Sequence, residues 1–388
     1  MKTIYLDNAA TTAVDERVLK AMMPYFSEKY GNASSLHQKG QEAKMALEEA
    51  REIIAKSINA KPDEIIFTSG GTESNNLAIK GLAFSYPEKK HIIISKIEHD
   101  CVLNACKFLE SKGYKINYLN VDKEGFIDLK ELEKLITHDT LIVSIIHGNN
   151  EIGTIQDLSS IGKLCREKKV FFHTDACQSY TKTFIDVNKQ NLDLVTLNAH
   201  KIHGPKGVGA LYLRTGIKVV PIAHGGGHEK NRRSGTENIP GIVGFATAVR
   251  IANKSDVEKM RKLRDKLIAG LEKISGSKLN GARGEKRLVN NINFLFENVE
   301  GEAVGGYLDA EGIASSTGSA CSSKSLEPSH VLLAIGLKPE QAHGSLRLSL
   351  SKFNTEEEIN LVLEKLPKII EKLRKISPFE KIVNKLIK

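Results

Sequence analysis

From about residue 50 to residue 215, short continuously apolar runs alternate with segments of helical periodicity. No other feature restricts the fold as tightly. Ile65–Thr68, His91–Ser95, Lys115–Leu119, Leu141–Ile146, Val170–Thr174, Leu194–Asn198 and Gly209–Leu213 read as buried strands. Glu73–Phe84, Cys101–Lys112 and Ser159–Lys168 read as helices between them. A strand that is apolar on both faces must be covered on both, and helices between strands supply the cover. The pattern therefore predicts an α/β domain around a largely parallel sheet. Ligands of such sheets sit in the loops beyond the carboxyl ends of the strands. The polar clusters of this chain fall at those places: Ser69-Gly70-Gly71-Thr72, His147-Gly148-Asn149-Asn150, Asp175 and His200-Lys201.

After Lys254 the character changes. A charged helical stretch to about Lys273 leads to a strand at Asn291–Phe296, a helix at Glu302–Asp309 and a Ser/Gly-rich loop at Ser315–Ser325. A strand at Ser345–Leu350 and a helix at Thr355–Ile376 follow. A chain of 388 residues is long enough for two domains. The expected division is a large α/β domain over 14–255 and a smaller α+β domain built from 1–13 with 256–388. The net charge is +9, but the lysines are spread over helix faces such as Lys254–Lys273 and Lys365–Lys388, with no interleaved aromatics. A solvated basic surface is the expectation, and direct nucleic-acid binding is not. Five cysteines, an odd number without zinc-site spacing, argue for a reducing compartment. No apolar run approaches the roughly 18 residues of a membrane span, and the N-terminus turns polar too soon for a signal peptide. A cytoplasmic protein without a membrane partner is expected.

Four constellations carry chemistry. Glycines after a strand, as in Ser69-Gly70-Gly71-Thr72-Glu73, let the backbone approach a ligand, and the helix that follows favours a phosphate; a tight capped turn is the bland alternative. Asp175, with Gln178 close behind, can serve as the carboxylate that keeps a pyridine nitrogen protonated, or as a helix cap. Lys201 follows an apolar strand, precedes the turn Gly204-Pro205-Lys206-Gly207, and stands 26 residues after Asp175. In a confined site such an amine forms a Schiff base with an aldehyde; a basic surface turn is the alternative. Cys321 lies among small residues, Ser315 to Ser325, a setting that suits an exposed thiolate nucleophile on a moving loop. An incidental free thiol fits the same pattern. Arg347, opening an apolar strand, is a candidate for pairing with a substrate carboxylate; a salt-bridged surface arginine is the alternative.

In this order the pieces resemble the cysteine desulfurases of the NifS/IscS type, class V members of the fold-type I pyridoxal-phosphate enzymes. The resemblance runs nearly end to end. It begins at Tyr5-Leu6-Asp7-Asn8-Ala9-Ala10-Thr11-Thr12 and passes through Thr68–Asn76, Glu98-His99, Asn149–Gly153 and Thr174–Gln178. It continues through His200–Gly207, Gly225–Glu229 and Arg233–Thr236, and ends with Gly318–Cys321, Ser325–His330 and Ser345–Arg347. It implies a PLP-dependent transferase fold and an enzyme that converts L-cysteine to L-alanine through a persulfide on Cys321. Lys201 would hold the cofactor covalently, and His99 would stack on its ring and help shuttle protons. Asp175 would pair with the ring nitrogen and Gln178 with the phenolic oxygen. Gly71, Thr72 and His200 would hold the phosphate, with Asn198 at a position where the family usually has Ser. Thr236 would reach the phosphate of the other subunit of a homodimer. Asn150 and Arg347 would orient the cofactor and the substrate carboxylate.

The stretch between Cys321 and Pro328 resembles the long-loop group, which delivers sulfur to a scaffold protein for iron–sulfur cluster assembly; there Cys321 can also become a transient ligand of the nascent cluster. Gly71, Gly148 and Cys177 depart from the family's usual alanine, valine and another small or apolar residue. Cys177 reads as packing. Two alternatives keep the cofactor and change the reaction: a selenocysteine lyase or a class V aminotransferase. A third, a basic binding module on a decayed fold, rests on the charge alone.

Overall fold

The computed structural model describes residues 3–317 and 327–376. Its strands in chain order are β1 (Ile4–Tyr5), β2 (Ile65–Thr68), β3 (His91–Ser95), β4 (Lys115–Leu119), β5 (Thr140–Ser144), β6 (Phe171–Asp175), β7 (Leu194–Asn198), β8 (Gly209–Leu213), β9 (Ser277–Leu279), β10 (Asn291–Phe296), β11 (Ile313–Ala314) and β12 (Ser345–Ser349). Strands β2 to β8 form one sheet in the order β2-β8-β7-β6-β5-β3-β4. Every pairing from β7 to β4 is parallel, and only β8 runs against both neighbours. The expected strands are all present, within a residue or two of their predicted ends.

Strands β2, β3, β5, β7 and β8 are buried along their whole length. Their alternate residues serve two cores. Ile65, Phe67, Ile93 and Val143 pack with the helices Gln38–Ser57 and Ile239–Ile251. Ile66, Ile92, Ile94 and Ile142 pack under Leu77, Leu82, Val102 and Leu109 on the opposite face. The two-residue period of a strand sends neighbours to opposite faces, so both faces need helices.

The helix expected over Glu73–Phe84 begins earlier, at Gly71, and is not uniform. After Gly71–Asn76 it widens into a π-helical stretch, Leu77–Gly81, before resuming at Leu82–Ser85. The Gly81 carbonyl accepts a hydrogen bond from Val220 N–H at 2.9 Å, so an incoming segment competes for the helix's own acceptors. Periodicity alone does not register that segment.

The second part of the chain builds a three-stranded antiparallel sheet, β12-β10-β9. The helices Lys254–Leu271, Gly301–Ala310 and Glu356–Ile376 accompany it. The N-terminus joins this part: β1 pairs with β11, and Ile4 and Leu6 enter one core with Leu267, Phe294, Leu348 and Leu366. The boundary expected after residue 255 falls in the first turn of the helix Lys254–Leu271. Among the described residues no helix is long and apolar enough to cross a membrane, and no cluster of three or more His, Cys, Asp or Glu residues could hold a metal ion.

One surface segment is held under strain. Glu229, Lys230 and Asn231 have φ of 46°, 57° and 62°. The left-handed region costs roughly 1–2 kcal/mol per residue for non-glycine side chains. A buried ion pair opposes that cost: Arg51 donates from both terminal nitrogens to the two Glu229 oxygens at 2.8 Å, and Phe67 N–H donates to the same carboxylate at 2.8 Å. The pair fixes where the following segment, Arg233 to Asn238, leaves the sheet edge. Glu229→Ala would leave Arg51 charged and buried without this partner. It is expected to lower the unfolding free energy by about 3 kcal/mol in urea titrations.

Two fully enclosed histidines make stability depend on pH. Burial pushes both His147 and His173 down to about 4. The His173 ring lies between the Ser144 and Thr196 hydroxyls at 2.8 and 3.0 Å. The folded pKa lies below the unfolded value, so the stabilisation is complete above about pH 6.5 and is lost as pH falls through about 4. Urea midpoints are expected to drop steadily across that window and to drop less in His173→Gln. A midpoint unchanged between pH 6.5 and 4 would contradict this account.

Candidate active site

The carboxyl ends of β2, β6 and β7 converge on one edge of the sheet, and the polar side chains follow. After β2, the chain turns through Ser69 and Gly70 into the helix at Gly71. Gly70 has φ of 152° and ψ of −175°, a conformation reserved for glycine, and a Cβ there would meet nothing within 4 Å. Glu73 closes the turn by accepting from Ser69 N–H at 2.7 Å, and Arg233 donates to Glu73 at 2.8 Å. Burial works against the Glu73 charge, but Arg233 and Ser69 outweigh it and hold the carboxyl below its ordinary range. The turn thus leaves its space open on one side while its backbone is pinned on the other. Thr72 is exposed on it.

Asp175 is the last residue of β6 and is buried. One carboxylate oxygen accepts from Asn75 Nδ2 at 2.7 Å and the other from Cys177 N–H at 2.9 Å. The amide of Asn75 also donates to the Cys101 thiol at 3.0 Å, and that thiol lies 3.0 Å from His99 Nδ1. His99 caps the helix Asp100–Glu110. Asn75 and Cys101 carry no mark of a site role in the sequence. Asn75 is detectable only as the helix position one turn beyond Gly71, and Cys101 reads as core packing until the fold places it beside His99.

Lys201 is half-buried in the turn after β7. Its amine donates to the Ala9 and Ala10 carbonyls of the N-terminal segment. Gln178 Nε2 donates to the same Ala9 carbonyl at 2.8 Å, and His200 Nδ1 lies 3.2 Å from the Thr11 hydroxyl. Burial, then the neighbouring lysine charges, pushes His200 down to about 4, so its ring is neutral at pH 7. A second amine, Lys182, donates to the Gln178 and Lys201 carbonyls at 3.0 and 3.1 Å. Burial and the Lys201 charge bring it down to about 7. Lys182 carried no signal in the sequence beyond one more basic residue.

Asn198, the last residue of β7, is buried with Oδ1 unpartnered among the described residues, and its Nδ2 lies 3.6 Å from where a Gly71 Cβ would stand. Arg347 is buried in β12. It donates to Asp7 at 2.9 Å, to the Ser316 hydroxyl at 3.2 Å and to the Asn150 carbonyl at 3.1 Å, and its Nε has no partner among the described residues. Asn150 therefore meets Arg347 through its backbone. Thr236 is exposed and borders the same cleft as Thr68, Ser69 and Gly207. Cys321 lies outside the described residues.

The residues present fit pyridoxal phosphate. An open glycine turn with the Asn198 amide aimed at it suits a phosphate, a buried carboxylate with fixed donors suits the ring nitrogen, and an amine stands on the neighbouring strand end. Two departures from the family pattern are also accounted for. A Cβ on Gly71 would stand 2.7 Å from Cys177 Sγ, and one on Gly148 would stand 2.8 Å from Leu288 Cδ2. Each glycine makes room for a larger neighbour.

Comparison with known proteins gives a consistent picture. The family model described as Aminotransferase class-V matches residues 4–362. A relative from Dictyoglomus turgidum named cysteine desulfurase IscS is 52% identical over 384 residues, covering 98% of this chain and 97% of the relative. Another from Methanosarcina thermophila, with the same name, is 51% identical over 381 residues, 97% of this chain and 94% of the relative. Among solved structures, a NifS-like protein superposes with a TM-score of 0.90 at 41% identity, covering 96% of this chain and all (100%) of that one. SspA in complex with cysteine superposes with a TM-score of 0.82 at 41% identity, covering 91% of this chain and 100% of that one.

The Gly71–Cys177 contact is testable as a pair. Gly71→Ala is expected to weaken pyridoxal-phosphate retention, read as the cofactor's absorbance after dialysis, because the new methyl presses on the thiol. Gly71→Ala with Cys177→Ala is expected to recover most of the loss. Equal losses in the single and double variants would show that the contact is not the cause.

Proposed function

We propose how a chain that belongs to the aminotransferase class-V family, and is a pyridoxal-phosphate-dependent cysteine desulfurase, divides its work among its residues. Lys201 bonds the cofactor covalently through Nζ, and Cys321 takes the sulfur. Gly71, Thr72, Asn198 and His200 hold the phosphate, joined by Thr236 from a second subunit. Asp175 faces the ring nitrogen, Gln178 the phenolic oxygen, and His99 the ring. Asn150 and Arg347 orient the bound groups, with Arg347 taking the substrate carboxylate. The observation that carries this assignment is the meeting of an open glycine turn, a buried carboxylate and a lysine amine at the carboxyl ends of β2, β6 and β7.

Bound pyridoxal phosphate supplies an electron sink that makes the C–S bond of cysteine breakable. The chain supplies the rest. Arg347 is held in place by Asp7 and the Asn150 carbonyl, so its guanidinium is preorganised for a carboxylate. The sulfur acceptor must be a thiolate. Burial pushes Cys101 and Cys165 up to about 12, and it raises Cys106 and Cys177 as well. All four described cysteines are thus neutral thiols at pH 7, which supports Cys321 as the acceptor. A bond forms between Cys321 sulfur and substrate sulfur as the C–S bond breaks, and the carbon skeleton leaves with a proton as alanine. Cysteine and one thiol become alanine and one persulfide, so no added reductant is needed.

A homodimer is part of the proposal. Leu19, Met23, Phe26, Tyr30, Leu36 and Met45 are all at least half exposed within one segment of the chain. Apolar exposure of this kind marks an interaction surface. A second copy there would cover it, and Thr236 is exposed as an inter-subunit contact requires. The partner that takes the sulfur on from Cys321 is proposed to be a scaffold protein for iron–sulfur assembly, and the compartment the cytoplasm.

The purified chain is expected to carry a visible pyridoxal-phosphate band, to form alanine from cysteine, and to release sulfide once an added thiol reductant discharges the persulfide. Cys321→Ser should keep the band, lose the one-sulfur adduct in mass spectrometry, and lower desulfuration by on the order of 10³-fold or more, as for other covalent nucleophiles. Full turnover by Cys321→Ser would favour the selenocysteine lyase or aminotransferase reading instead.

A further inference from the structure

The geometry points to Cys101 as a positioning residue for His99. We propose that its thiol donates to His99 Nδ1 while accepting from Asn75, making Asp175, Asn75, Cys101 and His99 one hydrogen-bonded chain that holds His99 as a neutral imidazole with its proton on Nε2. The inference rests on the cofactor site assigned above.

The donor directions follow from the partners. Asn75 must turn Nδ2 toward Asp175, since its carbonyl oxygen would face a carboxylate, and the same Nδ2 then reaches Cys101 Sγ at 3.0 Å. Asn75 Oδ1 is left buried without a partner among the described residues, which shows that the orientation is set by the donor side. On the far side of the thiol, His99 Nδ1 accepts the Cys101 backbone N–H at 3.2 Å. A nitrogen accepting that bond carries no proton, so at the 3.0 Å contact with Sγ the hydrogen belongs to sulfur. Burial, then the Asp175 charge, keeps the Cys101 thiol protonated, in agreement with that direction. Two donors on Nδ1 favour the neutral ring and leave the proton on the opposite nitrogen. His99 then works as a proton donor at Nε2.

The titratable groups around this chain are Glu98 and Asp100 beside His99 in sequence, Asp175 and Glu98 acting on Cys101, Cys177 with Lys201 beyond it, and His330 and Glu151 from the segments that meet Glu98 and Asp100. C101S keeps a hydroxyl between Asn75 and His99 while C101A leaves neither bond, so the comparison of the two variants reports on the hydrogen bonds of the thiol.

The test uses the full-length holoenzyme with ring-labelled histidine, His99 being assigned by its loss in His99→Gln. Wild type is expected to show His99 with the proton on Nε2. C101A removes one donor from Nδ1, and the share of rings with the proton on Nδ1 should rise by roughly threefold or more, the scale of one neutral hydrogen bond. C101S keeps a donor and an acceptor in that place and should restore the wild-type tautomer. An unmoved tautomer in C101A, a proton on Nδ1 in wild type, or C101S behaving as C101A would each overturn the inference. The outcomes separate from those of the functional reading. A chain that binds no pyridoxal phosphate defeats that reading, whereas a fully loaded enzyme indifferent to C101A defeats only the role of the thiol.

Discussion

A carboxylate buried at the end of a parallel strand is the constraint on which this site is built. Asp175 cannot stay charged there without donors, and the surroundings provide them from two directions: the backbone of its own turn at Cys177, and the Asn75 amide on the helix that follows β2. Meeting that need binds the turn after β6 to the helix after β2, although those strands are not neighbours in the sheet. The Gly70–Gly71 turn, at the start of the same helix, is positioned by the same contact. The carboxylate therefore sets the separation between the two ends of the proposed cofactor site.

A second set of contacts draws the N-terminal segment into the site. The Ala9 and Ala10 carbonyls receive the Lys201 amine, Ala9 also receives Gln178, and Thr11 meets His200. The same segment begins as β1, paired with β11 in the smaller sheet region. Asp7, between the two, pairs with Arg347 of β12. A few residues at the start of the chain thus connect the amine on the large sheet to the guanidinium on the small one. Backbone carbonyls do this work at Ala9 and Ala10, so the side chains there give no sign of it.

Much of the fold could be read from the sequence because its signals are local. Continuous apolar runs such as Ile92-Ile93-Ile94 announce strands buried on both faces, and the polar residues after them announce the ligand edge. Helix ends and irregular turns were less accessible. The π-helical stretch at Leu77–Gly81 depends on Val220, and the left-handed run at Glu229–Asn231 depends on Arg51, each far away in sequence. The site divided in the same way. Asp175, Lys201, His99 and the Gly70–Gly71 turn carry chemistry that their residue types declare. Asn75, Cys101 and Lys182 act through neighbours that only folding supplies.

The odd residues of the family pattern show where that division falls. Gly71 and Cys177 look like two independent departures when read along the chain; in space they are one, since a side chain on the first would occupy the sulfur of the second. Gly148 and Leu288 repeat the relation across the two parts of the chain. The amino-acid sequence by itself determined the α/β architecture, the ligand edge and the kind of chemistry, because burial periodicity and reactive groups are properties of residues in order. Tertiary structure alone decided which donor satisfies which buried acceptor, which thiols stay protonated, and which glycines are obligatory. Those depend on distances of a few ångströms between segments far apart in the chain, as in the contact of Asp7 with Arg347, 340 residues away.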